Sequence, residues 1–549
     1  MKRSILPLAL LSLNAFAADP IPVNLTPSVV VAAVNEPITE GKFEPTWKSL
    51  EQYQTPDWFR DAKFGIWAHW GPQCQPEAGD WYARHMYLDG QWQNKFHNER
   101  YGSPSKFGFK DVIHSWKAEK WDPERLVDLY KRTGAKYFFA MANHHDNLDM
   151  WDSRHQPWNS VRVGPKKDIV GGWAKAARKQ GLPFGLSVHA AHAWSWYEPA
   201  QGADKAGVAY DGKLTKADGK GTWWEGLDPQ DLYAQNHKPS PDFMNAEVIH
   251  SRWNWGNGVT PPDAAYCQNF YDRTADLINQ HQPDLIYFDD TALPLWPVSD
   301  AGLKVAAHFY NSNLKRSAGK SNGVIFGKIL NDDQLKCMTW DIERGVPNKT
   351  LPHPWQTDTC IGGWHYDRRV YDRSQYKNAK TVIHMLADIV SKNGNLLLNV
   401  PVRGDGSIDE KEEKVLEDIA AWMKVNGEGI FATRPWKIYG EGPSTTATPP
   451  RAYGPPGPAY SAEDIRFTQK GDSLYAFVGA WPESRIAKIR SLAANSPQVA
   501  GARVTNIALL GYGGKLTWTQ DAQSLSVNLP GTAPSEEAVT LKINGLPMA

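Results

Sequence analysis

A (β/α)8-like barrel followed by a C-terminal antiparallel β-sandwich is the α/β architecture that this chain predicts. Three observations carry the prediction. From Trp47 onward, short apolar runs alternate with amphipathic helical segments. Several of those runs end in imidazoles, indoles or carboxylates rather than in turn residues: 64–68 at His69-Trp70, 137–141 at Asn143-His144-His145-Asp146, and 285–288 at Asp289-Asp290. Beyond a Pro- and Gly-rich stretch at 440–458 the hydrophobic period falls to two. A parallel barrel places its pocket at the C-terminal ends of its strands, where such groups would collect. At 549 residues the chain also exceeds one ordinary core. The division expected is 1–17 a signal peptide, 18–45 an extended lead-in, 46–436 the barrel and 437–549 the sandwich.

The elements follow in order. Lys2 and Arg3, an apolar run at 5–13 and the small-x-small site Ala15-Phe16-Ala17 form an export signal, so a secreted or periplasmic protein is expected. That run is too short for a confident membrane span, and no later segment resembles one. Residues 19–45 are Pro-, Val- and Thr-rich and non-periodic. Helix 122–133 carries Leu126, Leu129 and Tyr130 on one face and precedes strand 137–141. Helix 169–180 precedes strand 184–188, and helix 263–281, with Asp263 as cap, runs into strand 285–288. Further strands are expected at 324–326, 336–339 and 396–400, with a helix at 376–390. A last helix follows Gly406, with Ser407 and Glu410 at capping-box spacing and Gly427 as C-cap. These make seven strands; closure implies an eighth. The segment 196–262 breaks the alternation and reads as a loop set walling the pocket. In the last domain Leu474, Ala476 and Val478 alternate with Tyr475, Phe477 and Gly479, and more strands are expected at 504–510, 525–529 and 539–543. Covering the barrel's flank is the job expected of that sandwich.

Composition narrows the partners. The formal charge is zero, which leaves no electrostatic footprint for nucleic acid or an anionic membrane. The 25 tryptophans suit core packing and also stacking on sugar rings. Cys74, Cys267, Cys337 and Cys360 are irregularly spaced, with no zinc or C-x-x-C pattern; after export one or two disulfides can form, and four buried thiols are the alternative. No cofactor is expected, the tryptophans suggest a carbohydrate partner, and a homo-oligomer is left open.

Asp289 and Asp290 follow an apolar strand at once, so alternation sends one to the barrel mouth and the other to the rim. Histidines with Asp146, Asp149 and Asp152 suggest a metal, but neither H-x-H nor H-E-x-x-H spacing occurs, and metal is the weaker reading. Histidines, indoles and paired carboxylates suit glycoside hydrolysis, which needs one ionised carboxylate and one protonated acid. Glu343, in Thr339-Trp340-Asp341-Ile342-Glu343-Arg344-Gly345, is a reasonable acid; Asp341 competes, and Arg344 offers Glu343 a structural ion pair instead. Trp194, Trp196, Trp223 and Trp224 are candidates for the leaving-sugar side.

At this point the chain resembles the alpha-L-fucosidases of glycoside hydrolase family 29. The match begins at Trp58-Phe59-Arg60-Asp61-Ala62-Lys63-Phe64-Gly65-Ile66-Trp67-Ala68-His69-Trp70-Gly71 and continues through Trp81-Tyr82-Ala83-Arg84-His85-Met86-Tyr87, His144-His145-Asp146, 283–289, and Leu396-Leu397-Leu398-Asn399-Val400-Pro401. The resemblance implies a barrel followed by a sandwich, and a retaining exo-glycosidase acting on terminal α-L-fucosides of an oligosaccharide or glycoconjugate, with Asp80 and Lys328 also among the substrate-binding residues. It implies Asp289 as nucleophile, Glu343 as acid/base, and His69, Trp81, His144, His145 and Tyr287 around the sugar. The chain departs from the pattern at Asp80, where many relatives carry glutamate, at Asn147, and at Lys328, the residue nearest to where an arginine is usual. These departures bear on substrate identity, so an α-L-galactosidase of the same mechanism is the first alternative. A non-catalytic sugar-binding barrel is the second.

Overall fold

The computed structural model describes residues 19–32, 36–204, 207–445 and 460–549, so the export signal and most of the Pro- and Gly-rich stretch lie outside it. Eight parallel strands close a barrel in chain order: β1 Phe64–Ala68, β2 Tyr137–Asn143, β3 Phe184–Val188, β4 Leu285–Phe288, β5 Val324–Gly327, β6 Thr339–Asp341, β7 Trp355–Cys360 and β8 Gly394–Asn399. β1 pairs with β8 in the register Gly65↔Leu397, which completes the ring. Trp67, Tyr137, Phe139, Leu285, Tyr287, Val324, Phe326 and Leu397 form one apolar cluster with Phe59, and these inward side chains fill the lumen. Gly65 and Gly185 make room for it: a Cβ there would stand 2.3 Å from the Tyr137 ring and 2.6 Å from the Phe139 ring.

The strand inferred only from closure is β7. Its six residues are all buried, yet Gln356, Thr357 and Asp358 are polar. The lumen satisfies two of them: Tyr137 Oη donates to Gln356 Oε1 (2.8 Å), Gln356 Nε2 donates to Asp341 Oδ2 (2.8 Å), and Tyr287 Oη donates to Asp358 Oδ2 (3.0 Å). The strand expected at 336–339 begins later, because Gln334–Lys336 is a 3-10 turn and pairing starts at Thr339. Helices Pro123–Arg132, Ile169–Lys179, Ala264–His281, Ala301–Arg316, Ala379–Ser391 and Glu410–Asn426 pack outside. Ala301–Arg316 was not foreseen. Between β5 and β7 a 3-10 turn and loops replace helices. The last helix starts at Glu410, not near Ser407. Its capping box is Asp409 with Glu412, and Ser407 instead bonds Asp405.

The lead-in runs extended beside helix Ala301–Arg316, with Thr39 N–H on His308 Nδ1 (2.9 Å) and Phe43 N–H on Asn311 Oδ1 (3.0 Å). The insertion after Trp196 consists of short turns and the helix Pro229–Tyr233. Buried Arg84 ties it down by donating to the carbonyls of Trp196 (2.5 Å) and Phe243 (3.2 Å).

The sandwich has a five-stranded antiparallel sheet, ordered β13 (Asn506–Leu509), β16 (Val539–Asn544), β11 (Ser473–Val478), β10 (Ile465–Lys470) and β9 (Arg434–Glu441). A three-stranded sheet is ordered β12 (Ile486–Ile489), β15 (Leu525–Asn528) and β14 (Thr517–Gln520). β9 straddles the expected boundary at 436. Tyr475 and Phe477 face the barrel and join its core, and Trp422 Nε1 donates to the Ala538 carbonyl (2.8 Å), so the sandwich covers that flank. All four cysteines are free and buried, so the disulfides that export would allow are not formed.

Candidate active site

Period-two alternation carries each inward series up to a polar group at the mouth. Leu285 and Tyr287 lead to Asp289, Val324 and Phe326 to Lys328, Asp341 to Glu343, and Trp67 to His69. Asp289 N–H donates to the Val188 carbonyl (3.2 Å), fixing its carboxylate above β4. Asp289 Oδ2 accepts from His145 Nε2 (3.0 Å) and His189 Nδ1 (3.1 Å), while Lys328 Nζ binds Oδ1. The same ammonium donates to Glu343 Oε2 at 2.8 Å. Burial disfavours the Asp289 anion, but the Lys328 charge and the two histidine bonds outweigh it and hold its pKa well below the ordinary 3.8. Burial likewise opposes the Lys328 charge, and Asp289 and Glu343 more than restore it, raising its pKa well above 10.5.

Asp290 turns the other way. It is buried, accepts from Thr291 N–H (2.7 Å), and lies 3.2 Å from His192 Nε2. Asp341 sits below the mouth against Gln356 and Asp358. Burial, then the Asp358 charge, raise its pKa well above 3.8. Burial, then Glu343, push Asp358 up to about 7. Asp341 is 1% exposed, whereas the Glu343 side chain is 28% exposed. Only Glu343 of the two reaches the open pocket beside Asp289.

Four buried imidazoles line the opposite wall: His69, His144, His189 and His365. His69 meets His365 and His144 edge-on, with ring centroids 4.6 and 5.0 Å apart. Asn399 anchors that wall, accepting from His69 N–H (3.0 Å) and donating to the Gly363 and Trp364 carbonyls (3.1 and 2.9 Å). Gln73 Nε2 donates to Asp146 (3.1 Å) and Gln73 Oε1 accepts from Ala83 N–H (3.3 Å), which fixes the amide's orientation. His144 Nδ1, 2.7 Å from that nitrogen, is therefore an acceptor, and its ring proton sits on Nε2. His189 spends its Nδ1 proton on Asp289 and keeps a lone pair on Nε2. That atom and His69 Nδ1 have no hydrogen-bond partner among the described residues. Burial lowers the pKa of His69 and His144 well below 6.5 and that of His189 to about 4.

Ring nitrogens of His69, His144 and His189 lie within 4.8 Å of one another, as do ligand atoms of His145, His189 and Asp289, which is a spacing a metal can use. The tautomer at His144 presents an N–H rather than a lone pair, however, and Lys328 already occupies Asp289. A mixed set of donors and acceptors fits hydroxyl groups, which are both at once. Asp149 is engaged elsewhere, paired with Arg273 (2.6 Å).

Trp81 stands half-buried at the rim in the left-handed region (φ 62°). The Asp80 carboxylate stands at the edge of the histidine wall, 3.5 Å from His365 Nδ1. It accepts from the backbone N–H groups of His365 (2.6 Å) and Trp364 (3.3 Å) and so fixes that loop. Tyr287 lies beneath Lys328, whose ammonium is 5.5 Å from its ring centroid. Of the four tryptophans suggested for the leaving-sugar side, only Trp196 borders the site, 6.1 Å from His144 and Trp81. It is buried. Trp194 stacks on His237 (3.8 Å), Trp223 stacks on His114 (4.1 Å), and Trp224 is buried against Gly219. His189, His365 and Asp358 are site residues that the sequence reading did not single out. His189 follows β3 directly, so the rule of polar strand tips would have found it.

The buried imidazoles also make stability depend on pH. Burial lowers His85, His97, His189 and His308 to about 4. A lowered folded-state pKa adds stability that is complete above the ordinary 6.5 and is lost as pH falls toward 4. Asp146 and Asp211, pushed up to about 6 by burial, act oppositely, losing their contribution as pH rises through 6. The melting temperature is expected to fall steadily from pH 6.5 to 4. A flat profile over that window would show that these rings charge in place without cost.

Comparison with known proteins agrees with the fold. The family model "Alpha-L-fucosidase" matches residues 30–428, and "Alpha-L-fucosidase C-terminal domain" matches 460–544. The tissue alpha-L-fucosidase of Rattus norvegicus is 27% identical over 528 residues, covering 91% of this chain and 92% of that protein. The human tissue enzyme is 26% identical over 523 residues, covering 92% of each. The fold is similar to that of Thermotoga maritima alpha-fucosidase in complex with fucose, at TM-score 0.67 and 22% identity, covering 91% of this chain and all of that one. It is also similar to alpha-L-fucosidase isoenzyme 1 from Paenibacillus thiaminolyticus, at TM-score 0.58 and 19% identity, covering 89% and 98%. With a family model spanning most of its length and a barrel and sandwich in the matching order, this chain belongs to the alpha-L-fucosidase family.

Proposed function

We infer that the protein is a retaining exo-glycosidase that releases terminal α-L-fucose from oligosaccharides or glycoconjugates. The observation that carries this is the single ammonium of Lys328 bound to both Asp289 and Glu343. Two oxygens on one donor stand no more than two hydrogen-bond lengths apart, about 6 Å. That suits a carboxyl pair of about 5–5.5 Å, which retains configuration, and falls short of the ~6.5–9.5 Å that admits a water for inversion. Asp289, ionised and oriented by His145 and His189, attacks the anomeric carbon. Glu343 gives its proton to the leaving oxygen, then takes one from the water that resolves the glycosyl-enzyme. The histidine wall receives the sugar's hydroxyls.

The test is turnover of 4-nitrophenyl α-L-fucoside beside the α-L-galactoside, with the first product followed by NMR. Fucoside preference with the α-anomer first is expected. The β-anomer appearing first overturns retention, and galactoside preference moves the substrate to L-galactose. Replacing Lys328 by methionine is expected to lower kcat/KM about a hundredfold. It should also move the acid limb of the pH–rate profile to higher pH, because the cation that lowers the Asp289 pKa is gone; an unmoved limb would deny Lys328 that role. Export is supported by the amino-terminal pattern of Lys2, Arg3 and Ala15-Phe16-Ala17.

A further inference from the structure

We propose that Trp253 is a positioning residue for the nucleophile: it braces, through His145, the hydrogen bond that the Asp289 carboxylate receives. The inference rests on the hydrolytic reading above and gives the insertion after Trp196 a part in the reaction.

Asp289 sits on a closed circuit of contacts. His145 Nε2 donates to its carboxylate at 3.0 Å. The Trp253 ring meets His145 edge-on, with centroids 5.0 Å apart and planes at 88°. Trp253 also stacks on His192, at 4.0 Å and 19°. His192 Nε2 lies 3.2 Å from Asp290 Oδ1, and one peptide bond joins Asp290 to Asp289. Asp290 is itself pinned by the N–H of Thr291 (2.7 Å). Each member fixes the next, and the last returns to the residue that reacts.

The insertion is folded to hold Trp253 in this circuit. Trp253 follows the 3-10 turn Ala246–Arg252. Two residues on, Trp255 adopts the left-handed region (φ 62°) and its N–H bonds the Arg252 carbonyl (2.9 Å). That tight turn brings Trp255 onto His192 as well, at 4.6 Å and 14°. One imidazole face has room for a single indole at such distances, so the two indoles grip His192 from opposite sides. His192 and Asp290 are buried, whereas Trp253 and Trp255 are half-buried. A peripheral segment is thereby rooted in the barrel directly behind the nucleophile.

The need for a brace follows from how His145 is held. Its Nδ1 lies 2.8 Å from the His189 carbonyl, and about that anchored end the ring can swing Nε2 away from Asp289. His144, 4.4 Å away at 60°, closes one side, and Trp253 closes the side toward the insertion. Lys328, His145 and His189 touch the Asp289 carboxylate, and Glu343 shares Lys328. His69, Tyr287 and Asp358 are near enough to act on it by charge. Of all these groups, His145 is the one whose ring meets Trp253. Loss of the indole should therefore weaken one of the bonds that hold Asp289 ionised and leave the others in place.

The experiment measures kcat, KM and the acid limb of the kcat/KM profile on 4-nitrophenyl α-L-fucoside. It compares the unsubstituted protein with Trp253→Leu, Trp253→Phe, His145→Ala and the double variant Trp253→Leu/His145→Ala. Leucine keeps apolar bulk without the flat ring, and a melting curve checks that each variant folds. For Trp253→Leu, kcat is expected to fall about tenfold with KM little changed, and the acid limb to move up by about half a pH unit. Trp253→Phe should restore most of both. In the His145→Ala background the same change should cost less than about twofold, because the bond that it braces is already gone. An unmoved limb, a loss carried by KM, a failed rescue by phenylalanine, or a tenfold loss that persists without His145 overturns the brace and leaves the hydrolytic reading standing. If the unsubstituted protein turns over no fucoside or galactoside, the hydrolytic reading falls first and the brace with it.

Discussion

Asp289→Gly is expected to lose on the order of ten-thousand-fold or more in kcat on any fucoside while melting near the unsubstituted temperature. The loss is large because the carboxylate forms the bond to carbon, and no neighbour replaces it. Asp290 faces away toward His192, Asp341 lies deep in the lumen, and Glu343 stands on the leaving-group side. The fold should survive, because Asp289 sits at the barrel mouth and only its side-chain bonds, to Lys328, His145 and His189, are given up. The gap left by the carboxylate can admit a small anion, so azide should restore turnover of an aryl fucoside and yield the inverted glycosyl azide. Near-normal turnover in Asp289→Gly would end the nucleophile assignment.

Glu343→Ala should separate substrates by how much help their leaving groups need. A sugar alkoxide cannot leave without a proton, so disaccharide turnover is expected to fall about a thousandfold. A nitrophenolate leaves unaided, so for an aryl fucoside the bond-breaking step is expected to slow far less, leaving the base-assisted second step to limit the rate. Glycosyl-enzyme should then accumulate, visible as a burst of nitrophenol. Equal losses on both substrates, without a burst, would move the acid to another residue.

The strands that the sequence revealed are those whose inward residues are apolar until the last one. Phe64–Ala68, Tyr137–Asn143 and Leu285–Phe288 all read clearly because the lumen there is aromatic and the polar group comes only at the tip. β7 was illegible for the converse reason. Gln356 and Asp358 point into the same lumen and are satisfied by Tyr137, Asp341 and Tyr287, which are distant in sequence. A run of such residues carries no hydrophobic signal. Asp289, His69, His144 and His145 were legible as tips, and Glu343 could be told from Asp341 only by depth. The stack of Trp81 on His250 escaped because partners 169 residues apart leave no local pattern. The isolated tryptophans at 194, 223 and 224 looked equally suitable and proved to pack elsewhere.

Lys328 touches both acids, so their charges are not independent. Before reaction the ammonium is shared between a nucleophile that must be ionised and a proton donor that must not be. Once Asp289 becomes a neutral ester, that cation has one carboxyl partner left, Glu343, the residue that must next take a proton from water. One side chain thereby touches the acting acid of each half-reaction.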